Sequence, residues 1–181
     1  MEAAATGVAS RRMDPLESWR RRKVLPHIRG RLLDVGCGFN NLVRCYSGQG
    51  IGVDVFPWPG IDVRIGDAAR LPFGSETFDT VTIIAALNHI PNREAALREV
   101  HRVLRPGGRL VLTMIGPLTG VIAHLLFRQD EHVRGGMVEG ERQGLRHRDV
   151  RRALAAAGFS LTHAQSFQLG LNRVYVGDKA Q

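Results

Sequence analysis

Long apolar runs are missing from this 181-residue chain. No stretch approaches the roughly 18–20 apolar residues that a bilayer-spanning helix needs. Residues 1–13 lack the apolar core of a secretory signal. The expectation is a cytoplasmic protein, with residues 1–13 a flexible tail and residues 14–181 a single domain. Cysteine is nearly absent: Cys37 and Cys45 are the only two, so no disulfide framework supports the fold, as suits a reducing compartment. Aromatic residues make up 6% of the chain, and none interleaves with the arginines as a single-stranded nucleic-acid groove requires. Metal-ligand spacing is also lacking. Asp130-Glu131-His132 has no second ligand pair elsewhere, so no metal is expected. Acidic residues are in deficit, 17 against 25 Lys and Arg, for a net charge of +8. Residues 1–31 carry eight basic and three acidic groups, +5 of that total. A basic arm of this kind suits a solvated helix face, with contact to an anionic membrane surface as the alternative; it makes a weak case for nucleic acid.

What is present reads as alternating strands and helices, hence βαβ units and a mainly parallel sheet. Helical patterns cover residues 17–27, 41–47, 91–104 and 147–157, with Pro91 placed in the first turn of the third. Strand patterns cover residues 31–35, 51–55, 62–65, 78–85 and 109–115, followed by two closing strands at 159–165 and 171–176. The run at 78–85 is continuously apolar and β-branched, as a central strand covered on both faces should be. The expected fold is a Rossmann-like, seven-stranded, mainly parallel α/β sheet with helices on both faces and a C-terminal antiparallel hairpin. Residues 116–146 stand apart. Leu118, Val121, Ile122, Leu125 and Leu126 share one helical face, and the rest of the segment is polar and glycine-punctuated. Such a stretch inside a compact domain is usually functional or disordered; the apolar stripe suits packing on the sheet, with a lid or a membrane-surface contact as the alternative, and the segment as a whole is expected to cover the substrate.

Four features converge at the carboxyl ends of the strands, where an open α/β sheet binds its ligand. The apolar strand Leu32-Leu33-Asp34-Val35 runs into the turn Gly36-Cys37-Gly38-Phe39-Asn40-Asn41, whose glycines let backbone approach a ligand closely. Asp54 ends the second strand, where a carboxylate can accept both hydroxyls of a ribose. Gly66-Asp67-Ala68 follows the third strand, and Ala85–His89 the fourth. Each has a plainer reading: Cys37 as a small residue in a tight turn, Asp67 as a cap, Asp54 as a turn former. The third glycine of such loops is missing, with Asn40 and Asn41 in its place; asparagine tolerates left-handed backbone better than most residues.

Leu33-Asp34-Val35-Gly36-Cys37-Gly38, Gly52-Val53-Asp54, Gly66-Asp67-Ala68, Leu71-Pro72-Phe73, the stretch 75–81 and Val103-Leu104-Arg105-Pro106-Gly107-Gly108 together resemble the class I S-adenosylmethionine-dependent methyltransferases. The nearest likeness is to the small-molecule type related to quinone-biosynthesis methyltransferases. The resemblance implies S-adenosylmethionine as cofactor and S-adenosylhomocysteine as product. It places Gly36, Cys37 and Gly38 against the methionine moiety, with Asp34 toward its amino end. Asp54 and Val55 fall at the ribose, Asp67 and Ala68 at the adenine, and Ala85 on the methionine side. The implied activity is methyl transfer to a small-molecule acceptor, apolar or lipid-linked. His89, just past the fourth strand, is the candidate general base, while His124, His132, Glu139 and Glu141 lie in the covering segment. A nicotinamide enzyme would share the strand, loop and acid but would carry Gly or Ala at position 41. The remaining alternative is a non-catalytic module that kept the fold and its S-adenosylmethionine or nucleotide site.

Overall fold

The computed structural model describes residues 15–116, 139–142 and 144–181. Seven strands, β1 (Leu32–Val35), β2 (Gly50–Asp54), β3 (Val63–Arg64), β4 (Phe78–Ile84), β5 (Leu104–Ile115), β6 (Phe159–Phe167) and β7 (Asn172–Lys179), form one sheet. Their order is β3-β2-β1-β4-β5-β7-β6. All neighbouring pairs are parallel except those of β7, which runs antiparallel between β5 and β6. The strand order reverses between β1 and β4, and their carboxyl ends open the crevice in which α/β sheets bind ligands.

Among the described residues, four helices cover the sheet: α1 (Pro15–Val24), α2 (Asn41–Cys45), α3 (Arg93–Val103) and α4 (His147–Ala156). Strand alternation sorts the core into two layers. Leu110, Leu112 and Met114 of β5 pack with Leu97 and Val100 of α3 and Val150 and Leu154 of α4. On the other face, Val111 packs with Val24 of α1, Leu42 of α2, and Val174 and Val176 of β7. Helices therefore lie on both faces, as the alternating pattern predicts.

Several boundaries differ from the sequence reading for physical reasons. The 17–27 helix ends at Val24, and Leu25–His27 form a tighter 3-10 turn because Pro26 removes a helical donor. Pro91 lies outside α3. Asn92 caps that helix instead, its side chain accepting the Ala95 N–H at 3.3 Å. The Arg105-Pro106-Gly107-Gly108 turn does not separate helix from strand but sits inside β5: Phe78 pairs with Leu104 and Thr80 already pairs with Arg109. Gly107 takes the left-handed backbone that this excursion needs, with φ +72°. At the end of β7, the Lys179 ammonium donates to the carbonyls of His101 and Leu104 at 2.9 and 2.7 Å, satisfying the open C-terminal end of α3.

Residues 117–138 and 143, which include the Leu118–Leu126 stripe, His124 and Asp130-Glu131-His132, lie outside the described residues. Among the described residues, no helix is long and apolar enough to cross a membrane.

Candidate cofactor and acceptor site

A cavity of about 450 Å3 opens at the carboxyl ends of β1, β2, β4 and β5, a size suited to a cofactor or small ligand. The structure brings Asp34, Gly36, Cys37, Gly38, Asp54, Val55, Ala68, Ala85 and His89 to its wall. Asp67 is the exception: it is exposed, and its carboxylate accepts the N–H of Ala69 at 2.9 Å within its own turn. Of the Gly66-Asp67-Ala68 trio, only Ala68 faces the cavity.

The glycine loop is shaped by β2. Gly36 and Cys37 both donate their N–H to the carbonyl of Val53, at 2.9 and 3.1 Å. Gly36 has φ +73°, and a Cβ there would stand 2.6 Å from that of Ala86, so only glycine fits. Gly38 has φ +53°, but a Cβ there would meet nothing within 4 Å. The empty volume beside Gly38 is therefore cavity: a cradle that any side chain would fill. The Asp54 carboxylate accepts the Gly38 N–H at 3.0 Å with one oxygen and the Phe56 N–H at 2.9 Å with the other. Its remaining lone pairs are available to a ligand.

Asn40 replaces the missing glycine with a lock. Its backbone is left-handed (φ 60°, ψ 28°), and its side chain is buried. The amide donates to the Gly60 carbonyl at 3.0 Å and to the Asp62 carboxylate at 2.9 Å. The same Asp62 oxygen accepts the Gly52 N–H at 2.7 Å. A Cβ at Gly52 would run into the Asn40 side chain, so Gly52 and Asn40 fit as a pair. Next to it, the Asn41 amide donates to Glu17 of α1 at 2.8 Å.

Asp34 is 2% exposed and accepts the Thr82 hydroxyl at 2.6 Å. Burial raises its pKa to about 7; the Thr82 bond opposes this and the Asp54 charge adds to it. Burial also drives the Cys37 thiol upward, and the charges of Asp34, Asp54 and Asp62 push it further. Cys37 is thus an un-ionised filler of a tight turn and no nucleophile. Ala85, at the end of β4, adopts φ +52° with its N–H held by the Thr113 hydroxyl at 3.1 Å. Such strained backbone in a non-glycine residue persists only where the surroundings impose it.

The opposite side of the cavity is built from segments far apart in the chain. His89 ends a 3-10 turn, Leu87–His89, after β4. Its Nδ1 lies 3.4 Å from the Glu141 carboxylate, whose side chain is 2% exposed. Glu17, Arg20 and Arg21 of α1 form another part of the cavity wall. The sequence reading took those arginines as a solvated face; Glu17 and Asn41 instead tie α1 against the cavity. The short spacing between Glu17 and Arg20–Arg21 on one helix was the available signal, but nothing local shows that α1 docks there. Ile84, Ile90 and Ile115 make the rest of this side apolar.

The residue set fits S-adenosylmethionine. Carboxylates at the cavity floor suit its cationic groups, the Gly38 cradle admits close approach, and Arg20 and Arg21 stand where an anionic group can be met.

A family model described as a methyltransferase domain matches residues 33–112. The demethylmenaquinone methyltransferase of Thermus thermophilus is 29% identical over 197 aligned positions, covering 89% of each chain. Among solved structures, an S-adenosylmethionine-dependent methyltransferase from Mesorhizobium loti aligns with TM-score 0.67 at 22% identity, over 88% of this chain and 95% of that one. A complex between the Haloferax volcanii Trm112 methyltransferase activator and a methyltransferase matches with TM-score 0.69 at 19% identity, over 90% of each chain. With the strand order, the glycine loop and its acids in place, the chain carries a methyltransferase domain and is similar to the class I S-adenosylmethionine-dependent methyltransferases, quinone-biosynthesis enzymes among them.

Proposed function

We propose that this enzyme methylates a small, apolar, ring-bearing acceptor of the quinol type, and that the cavity holds cofactor and acceptor side by side. The observation that carries this reading is the division of the cavity wall. Carboxylates and glycines line the β1–β2 side, and Ile84, Ile90, Ile115 and His89 line the β4–β5 side. The similarity to a protein named demethylmenaquinone methyltransferase supports the acceptor class.

The cofactor supplies an electrophilic methyl group. The chain's own residues bind and orient. In this reading Gly36, Cys37 and Gly38 border the methionine portion, with Asp34 at its ammonium and Arg20 or Arg21 at its carboxylate. Asp54 and Val55 border the ribose. Ala68, with Trp58, borders the adenine, with Asp67 acting at one remove through its turn. Ala85 fixes the end of β4 beside the reacting centre. His89 takes the acceptor's proton. Holding the two reactants in line supplies much of the rate, worth several kcal/mol of barrier.

Calorimetric titration with S-adenosylmethionine and S-adenosylhomocysteine tests the cofactor half. Saturable binding is expected, weakened at least tenfold (about 1.4 kcal/mol) by Asp54→Ala; no heat at millimolar ligand overturns the reading. Mass-spectrometric assay with short-chain quinols tests the acceptor half. Methylation of hydrophilic acceptors alone would refute it.

A further inference from the structure

Segment 139–142 reaches the end of β4 from more than fifty residues away and is fastened there. The Arg142 N–H donates to the Asn88 carbonyl at 2.8 Å, and the Asn88 amide donates back to the Arg142 carbonyl at 3.0 Å. Asn88 is buried. Arg93, at the start of α3, donates to the Gly140 carbonyl, and Gly140 packs against Pro91 with φ +91°. Glu141 sits between these two anchors, with its carboxylate 3.4 Å from His89 Nδ1. The His89 ring remains more open than its partner, 21% against 2% exposed, and lines the cavity. A buried acid behind a half-open imidazole that faces a ligand cavity is the arrangement that sets which ring nitrogen carries the proton.

We propose that Glu141 is a positioning residue that holds His89 with its proton on Nδ1, leaving Nε2 to take the proton of a hydroxyl-bearing acceptor such as a phenol or hydroquinone. This rests on the cofactor reading above and narrows the acceptor to molecules that must lose a proton. The proton passes from the acceptor oxygen to Nε2. The electron pair left behind is available on that oxygen or, through the ring, on the adjacent carbon, and forms the bond to the incoming methyl carbon while the sulfur keeps the pair of the bond that breaks; after attack from carbon, that carbon loses its hydrogen as a proton, the C–H pair restores the aromatic ring, and the oxygen takes up a proton. The imidazolium, stabilised by Glu141, then releases the proton to solvent. An acceptor that is already a free nucleophile, such as a thioether, would need none of this. Among the described residues, the charged groups that share the cavity wall with His89 are Glu17, Arg20 and Arg21 on α1 and Asp34 and Asp54 across the cavity, while Arg93 and Arg142 fasten the segment that carries Glu141. Glu141 is in direct contact with the ring.

The test is nitrogen-15 NMR of the full chain, with the His89 signals identified by their loss in His89→Gln. The wild-type protein should show the Nδ1–H tautomer. Its His89 pKa should exceed that of Glu141→Gln, because a carboxylate beside the ring favours the imidazolium, and Glu141→Asp should restore part of the difference. With a phenolic acceptor, Glu141→Gln should lower kcat roughly tenfold, a factor set by the general-base contribution. It should leave KM and cofactor affinity unchanged and move the acid limb of the kcat profile by the same amount as the NMR pKa. A wild-type Nε2–H tautomer, or equal His89 pKa values in wild type and Glu141→Gln, overturns the proposal. If Glu141→Gln does not fold, the wild-type tautomer alone decides. Absence of cofactor binding to the wild type would instead refute the cofactor reading, and leaves the NMR outcome to be judged separately.

Discussion

Asn40 shows how a single side chain can replace a backbone requirement. A glycine at that position would supply the left-handed angle and nothing more. Asparagine supplies the angle and two hydrogen bonds that join the glycine loop to Gly60 and Asp62, so the loop is braced from the side opposite the cavity. Asn40→Ala should destabilise the fold by about 1–3 kcal/mol, because it strains the backbone and removes a buried donor that joins the Gly60 carbonyl and the Asp62 carboxylate. Denaturant unfolding gives that number. Asn40→Gly should lose less, since it keeps the angle. Gly38 is the converse case. With open space around it, Gly38→Ala should cost only about 1 kcal/mol of stability, from its positive φ, yet should weaken cofactor binding by more than tenfold. Equal binding in calorimetry would mean that the cradle is not used.

At the scale of elements, the turn after β4 acts as a hub. Its Asn88 holds segment 139–142, its His89 meets Glu141, and its start at Ala85 carries the strain. Asn88→Ala removes one bond of the reciprocal pair and leaves the Arg142 carbonyl without its donor. Amide hydrogen exchange should then accelerate in residues 139–146, while the strands β1, β4 and β5 keep wild-type protection. Uniform acceleration across the sheet would show that the segment is part of the global folding unit. Much of the element-level architecture was legible from the sequence: β1 and the loop after it, the buried run of β4, and the closing pair β6 and β7 all follow local patterns of period and punctuation. The turn inside β5 was not, since Arg-Pro-Gly-Gly reads as a stop signal wherever it stands. Only the pairing of Leu104 with Phe78 draws the preceding residue back into the sheet.

For the whole molecule, Asp34 couples stability, pH and ligand. Its pKa is 3.8 in the unfolded chain and about 7 in the fold. Between those values the native state holds a proton that the unfolded state has released, so folding stability falls as pH rises from about 4 to 7 and levels off above. Each unit of difference corresponds to about 1.4 kcal/mol. Asp34→Asn should flatten this dependence and raise the unfolding free energy at pH 8 by on the order of 1–3 kcal/mol, as followed by urea denaturation across pH. Binding of a cationic cofactor favours the ionised acid. Affinity should therefore increase with pH through 7 and binding should release protons, visible as a buffer-dependent enthalpy in calorimetry. Asp34→Asn should bind weakly with no such dependence. A wild-type affinity that is flat from pH 6 to 8 would separate Asp34 from the cationic end of the ligand.

The sheet, the loop and the acids that point to the cofactor were all legible in the order of residues. These depend on short-range facts: an apolar run ending in Asp, glycines where backbone must turn sharply, and an acid at the end of the next strand. Tertiary structure decided what those residues face. It turned Asp67 out to solvent and brought Arg20 and Arg21 from a basic run to the cavity wall. It made Asn40 a brace, and it placed Glu141 against His89 across fifty-two residues. Contacts of that separation leave no periodic trace in the chain, because they depend on how docked elements share one crevice and on which buried polar groups must find partners there.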